Sequence, residues 1–73
     1  MNKEEFITEM QDVLQTEDSL SFDTVLADMP EWDSLSVMAT MAFLDQNFSV
    51  KTSLQDYKKL HTLGDIAKLA GLK

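Results

Sequence analysis

The sequence predicts an all-α fold, a four-helix bundle with a long loop between the first and second helices and a short third helix. Apolar side chains recur at steps of three and four residues in several segments, and no stretch shows the two-residue alternation of a strand. Residues that favour helix N-termini precede these segments. The 73 residues are expected to form a single domain, residues 1–73.

The first helix is predicted at about residues 3–15. Asn2 is placed to cap it, and Glu5 completes the pattern of a capping box. The apolar residues of this segment share one helical face and are Phe6, Ile7, Met10, Val13 and Leu14. Residues 16–33 contain too many apolar side chains for a solvated linker, so an ordered loop with room for one short helical turn is expected. Pro30 excludes a helix that runs through this point.

The second helix is predicted to begin at Ser34, after Asp33 as the N-cap, and to end at about Gln46. The apolar spacing predicts that its inward face contains Leu35, Met38, Met41, Ala42 and Phe48, with Val37 and Leu44 on the flanks.

Two shorter helices are predicted in the last third of the chain. The pair Ser53 and Asp56 favours a short helix at about residues 54–59. The pair Thr62 and Asp65 favours a last helix at roughly residues 63–70, with Gly71 placed to end it.

The charge of the chain is strongly asymmetric. Thirteen acidic and six basic residues give a net charge of −7, and residues 1–33 hold ten of the acids against Lys3 alone. Such a surface repels nucleic acid and anionic membranes, and it attracts and steers basic protein partners.

Several classes of site are excluded by composition. The chain has no cysteine and one histidine, so disulfides, thiolate metal sites and the usual zinc sites are excluded, and no metal is expected. No apolar signal core or run of membrane length occurs, so we expect no membrane insertion and a cytoplasmic location. A monomer is expected.

Ser34 is the candidate functional residue, and three roles are open to it. It could assist the helix cap, although Asp33 already suits that position. It could be a nucleophile, but His61 is the only possible imidazole base, Asp33 is badly placed to orient it, and no glycine-rich segment offers an oxyanion site. No catalytic residue is therefore expected. The third role is an attachment point for another group.

The third role rests on a resemblance. The segment "DSL" at residues 33–35 resembles the phosphopantetheine attachment motif of acyl carrier proteins. The likeness extends to "LADMPEWDSL" before the serine, to "FLDQNFSV" at the end of the second helix and to "KKLHTLGDIAKLAG" before and within the fourth. It covers about residues 4–71, and it implies an acyl-carrier-protein-like bundle.

The resemblance implies a covalent cofactor and a set of partners. A phosphopantetheinyl transferase would attach 4′-phosphopantetheine from coenzyme A to Ser34, with Asp33 and Leu35 completing the motif and Leu35 anchoring the turn in the core. The arm would carry an acyl or aminoacyl group as a thioester, and the protein itself would not be an enzyme. The other implied partners are an acyl-loading ligase or synthase and acyltransferases with basic docking patches.

The second helix departs from the family pattern. Asp45 is its only charged residue, and the acids near the serine are Asp28, Glu31 and Asp33. This favours a dedicated carrier in a specialised pathway over one serving general fatty-acid synthesis. The candidate docking residues are Asp28, Glu31, Val37, Met38 and Asp45. An alternative function stays open, a small acidic helical interaction domain in which Ser34 only starts a helix.

Overall fold

A computed structural model describes residues 1–72 and confirms the predicted all-α architecture. The helices within these residues are α1 (Lys3–Leu14), α2 (Ser34–Phe48), α3 (Leu54–Lys58) and α4 (Leu63–Leu69). The long loop between α1 and α2 contains one 3₁₀ turn, Leu26–Asp28. Within the described part of the chain, every helix is too short or too polar to cross a membrane.

The helices begin where their capping residues predict, after Asn2, Asp33, Ser53 and Thr62. In α1 the Asn2 carboxamide oxygen accepts a hydrogen bond from the Glu5 amide at 2.8 Å, and the Glu5 carboxylate accepts one from the Asn2 amide at 3.1 Å. Such reciprocal pairs satisfy amide groups that a helix leaves without partners, which is why local sequence was sufficient to locate the helix starts.

An aromatic cluster lies at the centre of the core. Phe6 is fully buried, and its ring centroid lies 6.2 Å from that of Phe22, 6.0 Å from that of Phe43 and 6.1 Å from that of Phe48. These rings join α1 and α2 to the long loop. The buried apolar residues are Phe6, Met10, Leu14, Leu26, Phe43, Leu44, Tyr57, Leu63, Ile66, Ala67 and Ala70.

The predicted inward face of α2 is wrong at its N-terminal end and at Ala42, which is exposed. Leu35 is 77% exposed and Met38 is 59% exposed, so Leu35 does not anchor the turn in the core. The buried residues of α2 are instead Ser36, Thr40, Phe43 and Leu44. Burial of the two hydroxyl residues is tolerated because each is hydrogen-bonded within the helix turn; for example, the Thr40 hydroxyl donates to the Ser36 carbonyl at 2.8 Å.

The long loop is fastened to the start of α4. The Leu26 amide donates to the His61 carbonyl, the Leu63 amide to the Thr24 carbonyl and the Gly64 amide to the Phe22 carbonyl, each at 2.9 Å. The first two bonds flank an isolated antiparallel bridge between positions 25 and 62. The predicted order of the loop is therefore confirmed, and its physical cause is this backbone pairing.

Gly64→Ala tests how closely the loop approaches α4. A Cβ atom at position 64 would lie 2.9 Å from the Phe22 carbonyl oxygen and 3.4 Å from the Phe22 Cβ. We expect the free energy of unfolding to fall by about 1–3 kcal/mol, because backbone has to shift to relieve this overlap. Urea denaturation measures it, with Lys68→Ala as the control for an exposed position on the same helix. Equal stability of the two variants would contradict the close packing.

Asp65 gives the fold a predictable response to acid. Its carboxylate accepts hydrogen bonds from the His61 amide at 2.9 Å and the Thr62 amide at 3.1 Å, and these bonds lower the pKa of Asp65. A lowered pKa in the folded state stabilises the protein above the unfolded pKa of about 4, and this contribution disappears as the pH falls through the folded value.

Asp65→Asn is therefore expected to lower the melting temperature at neutral pH, and this deficit should shrink as the pH falls below about 4 and vanish below the folded pKa of Asp65. Thermal denaturation followed by circular dichroism across pH 2–7 measures the difference. Glu9→Gln, an exposed acid in the middle of α1, is the control and should show a smaller deficit at neutral pH. A deficit for Asp65→Asn that stays constant down to pH 2 would contradict the assignment.

Candidate functional site

The hydroxyl of Ser34 is free at the start of α2. Ser34 is exposed, and its side chain makes no hydrogen bond within residues 1–72. The cap is formed without it, since the Asp33 carboxylate accepts from the Ser36 amide at 3.0 Å and the Ser36 hydroxyl oxygen accepts from the Asp33 amide at 2.8 Å. The prediction of Asp33 as the N-cap is confirmed, and Ser34 is not needed for capping.

Two backbone donors lie beside this hydroxyl. Within the described residues, the amides of Ser34 and Leu35 have no protein partner, whereas the next amide, that of Ser36, is bonded to Asp33. α2 has 15 residues, so its N-terminus carries a partial positive charge from the aligned peptide dipoles. These features together favour a negatively charged group attached to, or bound at, Ser34.

A groove between α2 and α3 adjoins Ser34. It has a volume of about 320 Å³ and is lined by Trp32, Asp33, Ser34, Val37, Leu54, Tyr57 and Lys58. Its wall includes a tilted aromatic pair, in which the ring centroids of Trp32 and Tyr57 lie 6.3 Å apart. Burial raises the pKa of Tyr57, whose hydroxyl lies 2.9 Å from that of Thr52. Tyr57 is therefore a neutral, fixed part of the groove.

A second groove lies on the other side of the α2 N-terminus. It separates the end of α1 from α2, has a volume of about 410 Å³ and contains the side chains of Glu31, Asp33 and Leu35. The remaining lining residues are Val13, Leu14, Gln15, Ser36 and Ala39. The two grooves thus differ in charge. The first is lined by one carboxylate, that of Asp33, and by one lysine, whereas the second is lined by the carboxylates of Glu31 and Asp33 and by no lysine.

α2 presents an exposed apolar face to one side of Ser34. Leu35, Met38, Ala39 and Ala42 are all exposed, and their spacing places them on one side of the helix. We call these four residues the α2 apolar face. Val37 is half-buried beside the groove. A face of this kind on a small protein is available for contact with another molecule.

The predicted acidic residues are not all near Ser34. Asp28 is exposed in the 3₁₀ turn, and Glu31 is half-buried and shares a groove with Asp33. Asp45 is eleven positions further along α2, which places it about 16 Å from Ser34 along the helix axis. Asp28 and Glu31 therefore lie in the segment that leads to the serine, and Asp45 lies near the other end of α2.

Sequence reasoning missed three groove residues, Leu54, Tyr57 and Lys58. They are on α3, about twenty positions after Ser34, and no local pattern indicates which helix faces the start of α2. Among residues 1–72, no cluster of three acidic or histidine side chains is arranged to hold a metal ion.

A curated relative decides the family. Over 69 residues the chain is 32% identical to the acyl carrier protein of Kineococcus radiotolerans, and the match covers 88% of this chain and 85% of the relative. The chain belongs to the acyl carrier protein family. No family model matches its sequence.

The structure of another acyl carrier protein agrees with this assignment. The solution NMR structure of the holo acyl carrier protein of Geobacter metallireducens is similar with a TM-score of 0.74, at 27% sequence identity. The similarity covers 96% of this chain and 82% of that one. The resemblance inferred from "DSL" and its flanking segments is confirmed at the level of family and fold, and acyl carrier proteins as a family carry a phosphopantetheine group.

Proposed function

We propose that this acyl carrier protein bears 4′-phosphopantetheine on Ser34 and presents a thioester-bound acyl or aminoacyl group to partner enzymes. The observation that carries the proposal is the exposed hydroxyl of Ser34, which lies next to the helix cap but takes no part in its hydrogen bonds. The arm supplies a terminal thiol that holds the cargo as a thioester. The chain has no cysteine, so no thiol of its own competes for that cargo.

The residues around Ser34 fit a phosphodiester. Its hydroxyl is accessible to a phosphopantetheinyl transferase that uses coenzyme A as the donor. The free amides of Ser34 and Leu35 and the N-terminal end of α2 favour the added negative charge. Asp33 and Ser36 hold the turn in shape through their mutual hydrogen bonds.

The carrier itself catalyses no reaction in this proposal. A serine nucleophile needs a base within hydrogen-bond reach, and neither groove beside Ser34 contains a histidine among its lining residues. His61 is exposed at the start of α4, where its backbone is bonded to Asp65 and Leu26. The proposal also includes a monomeric state and, because the modification consumes coenzyme A, a cytoplasmic location.

Intact-mass measurement tests the attachment. The purified chain is incubated with coenzyme A and a broad-specificity phosphopantetheinyl transferase, and we expect the mass of one phosphopantetheine to be added. The absence of any gain with several transferases would instead favour a small acidic interaction domain that does not bear an arm.

The proposal assigns the carrier to a specialised pathway. The support is the surface of α2, where the exposed face near Ser34 is apolar and Asp45 is the only charged residue of the helix. Enzymes that recognise carriers through a row of acids on this helix would find little to bind here. Substitution of this carrier for the carrier of a reconstituted fatty-acid synthase tests the assignment, and full activity there would contradict it.

The proposed partners are the transferase, an acyl-loading ligase or synthase, and acyltransferases with basic docking patches. Asp28 and Glu31 would meet such patches beside Ser34, while Val37 and Met38 would supply apolar contact; Asp45 would contribute at the far end of α2. The negative net charge of the first half of the chain would steer these basic partners towards the carrier over distances of about 10 Å at moderate salt.

Charge reversal separates docking from general steering. The double variant Asp28→Lys/Glu31→Lys is expected to lower kcat/KM for loading by the cognate enzyme by about tenfold at low salt. The matched control is Glu4→Lys/Glu9→Lys, which changes the net charge equally on exposed positions of α1. Glu5 is avoided because it belongs to the α1 cap.

We expect the control to lose less activity than the loop variant at low salt, and the difference to shrink at 1 M salt. Steady-state loading kinetics at both salt concentrations measure the effect. Equal losses for the two double variants would argue against a docking role for Asp28 and Glu31.

A further inference from the structure

An anion attached to Ser34 would be repelled by acidic side chains that are already close to it. Asp33 precedes it directly, and Glu31 lies three residues before it. A phosphodiester on Ser34 adds another negative charge to this acidic segment. The helix N-terminus offsets part of the repulsion, but its charge is only about half an elementary unit.

Lys58 is the cation that shares a groove with Ser34. Both residues line the groove between α2 and α3, and no other lining residue is basic among those the structure describes. Lys58 is the last residue of α3, and its side chain is exposed rather than packed away in the core. A lysine side chain is long and flexible and ends in a compact charge, so it can follow an anion at the mouth of this groove.

The second groove offers no such compensation. It is lined by both Glu31 and Asp33 and by no lysine. An arm leaving Ser34 in that direction would bring its phosphodiester towards two carboxylates. The groove between α2 and α3 also contains Asp33, but there one lysine accompanies this single carboxylate, and the apolar side chains of Trp32, Val37 and Leu54 complete the lining.

We propose that Lys58 is a positioning residue for the arm, pairing with the phosphodiester on Ser34 and directing it into the groove between α2 and α3. This inference rests on the proposed function. Lys58 would then determine which of the two grooves the arm enters, and α3 would have the role of positioning the arm.

The experiment compares two adjacent lysines before and after modification. Lys58→Glu and the control Lys59→Glu have the same charge change, and position 59 is exposed at the end of α3 but does not line the groove. Each variant is prepared with a free Ser34 and with the arm attached, and modification is verified by intact mass. Unfolding in urea at low salt is then measured for both forms.

The predicted result is a coupling between the arm and position 58. The effect of the arm on the unfolding equilibrium constant is compared between Lys58→Glu and the unsubstituted protein. In Lys58→Glu, attachment of the arm should raise this constant by about 2- to 5-fold more, which is the size expected of an exposed ion pair. Lys59→Glu should show no comparable coupling, and the coupling at position 58 should fade at 1 M salt.

Backbone amide shifts give an independent readout. Attachment of the arm should shift the amide signals of Tyr57 and Lys58 more than those of Gln15 and Ala39, which line the second groove. Equal coupling for the two lysine variants, or larger shifts at Gln15 and Ala39, would overturn the assignment of Lys58 and leave the attachment at Ser34 standing. If no variant gains mass, both the proposed function and this inference fail.

Discussion

Ser34→Ala is expected to abolish phosphopantetheinylation completely while changing the free energy of unfolding by less than about 0.5 kcal/mol. The modification is lost because the variant has no hydroxyl at position 34 to accept the group. Stability is retained because the Ser34 side chain makes no hydrogen bond within the described residues and is exposed to solvent. Intact mass after transferase treatment and urea denaturation of the same sample measure the two effects.

Ser36→Ala is the matched control and should behave in the opposite way. The Ser36 hydroxyl is buried, accepts a hydrogen bond from the Asp33 amide at 2.8 Å and donates one to the Asp33 carbonyl at 2.9 Å. Its loss should lower the free energy of unfolding by about 1–2 kcal/mol and leave modification intact. A mass gain in Ser34→Ala would show that the arm is attached elsewhere.

Phe6→Ala is expected to cost about 3–5 kcal/mol of folding free energy, the usual range for truncating a buried phenylalanine. Phe6 is fully buried and lies about 6 Å from three other rings. Its truncation would remove the ring contacts that join α1 to α2 and to the long loop. Chains of this size have a total stability of roughly 4–11 kcal/mol, so this variant should lose a large fraction of it.

Ile7→Ala provides the comparison for Phe6, because Ile7 is on the same helix and is only half-buried. We expect a loss of about 1–2 kcal/mol for it, since less apolar surface leaves the core. Circular dichroism during urea denaturation measures both variants. A loss for Phe6→Ala no larger than that for Ile7→Ala would contradict the central position of the aromatic cluster.

The helix starts were predictable from sequence because capping is local. Asn2 and Glu5, or Thr62 and Asp65, meet within a single turn, and three residues of separation are enough to specify the bond. The same locality explains why Ser34 was recognisable as a residue next to a cap rather than as the cap itself.

The orientation of α2 was predicted wrongly because its apolar residues do not define one face. Leu35 and Met38 were expected to be buried, but Ser36 and Thr40 occupy the inward side near the start of the helix. Short hydroxyl side chains can be buried at low cost when they bond to the preceding helical turn. Apolar spacing alone therefore could not distinguish a core face from the exposed α2 apolar face.

The groove beside Ser34 depends on contacts that no sequence pattern encodes. Trp32 and Tyr57 are 25 positions apart, yet their ring centroids are separated by 6.3 Å. The position of α3 follows from the packing of the whole bundle, so Lys58 could be assigned to the groove only from the structure.

The bonds between the long loop and α4 have a consequence for hydrogen exchange. Breaking the pairing near position 25 releases the amides of Leu26, Leu63 and Gly64, which belong to segments nearly forty residues apart. These three amides should therefore exchange at similar rates, as members of one cooperative opening unit. The five residues of α3 make none of these three bonds, so their amides are expected to exchange independently of this unit.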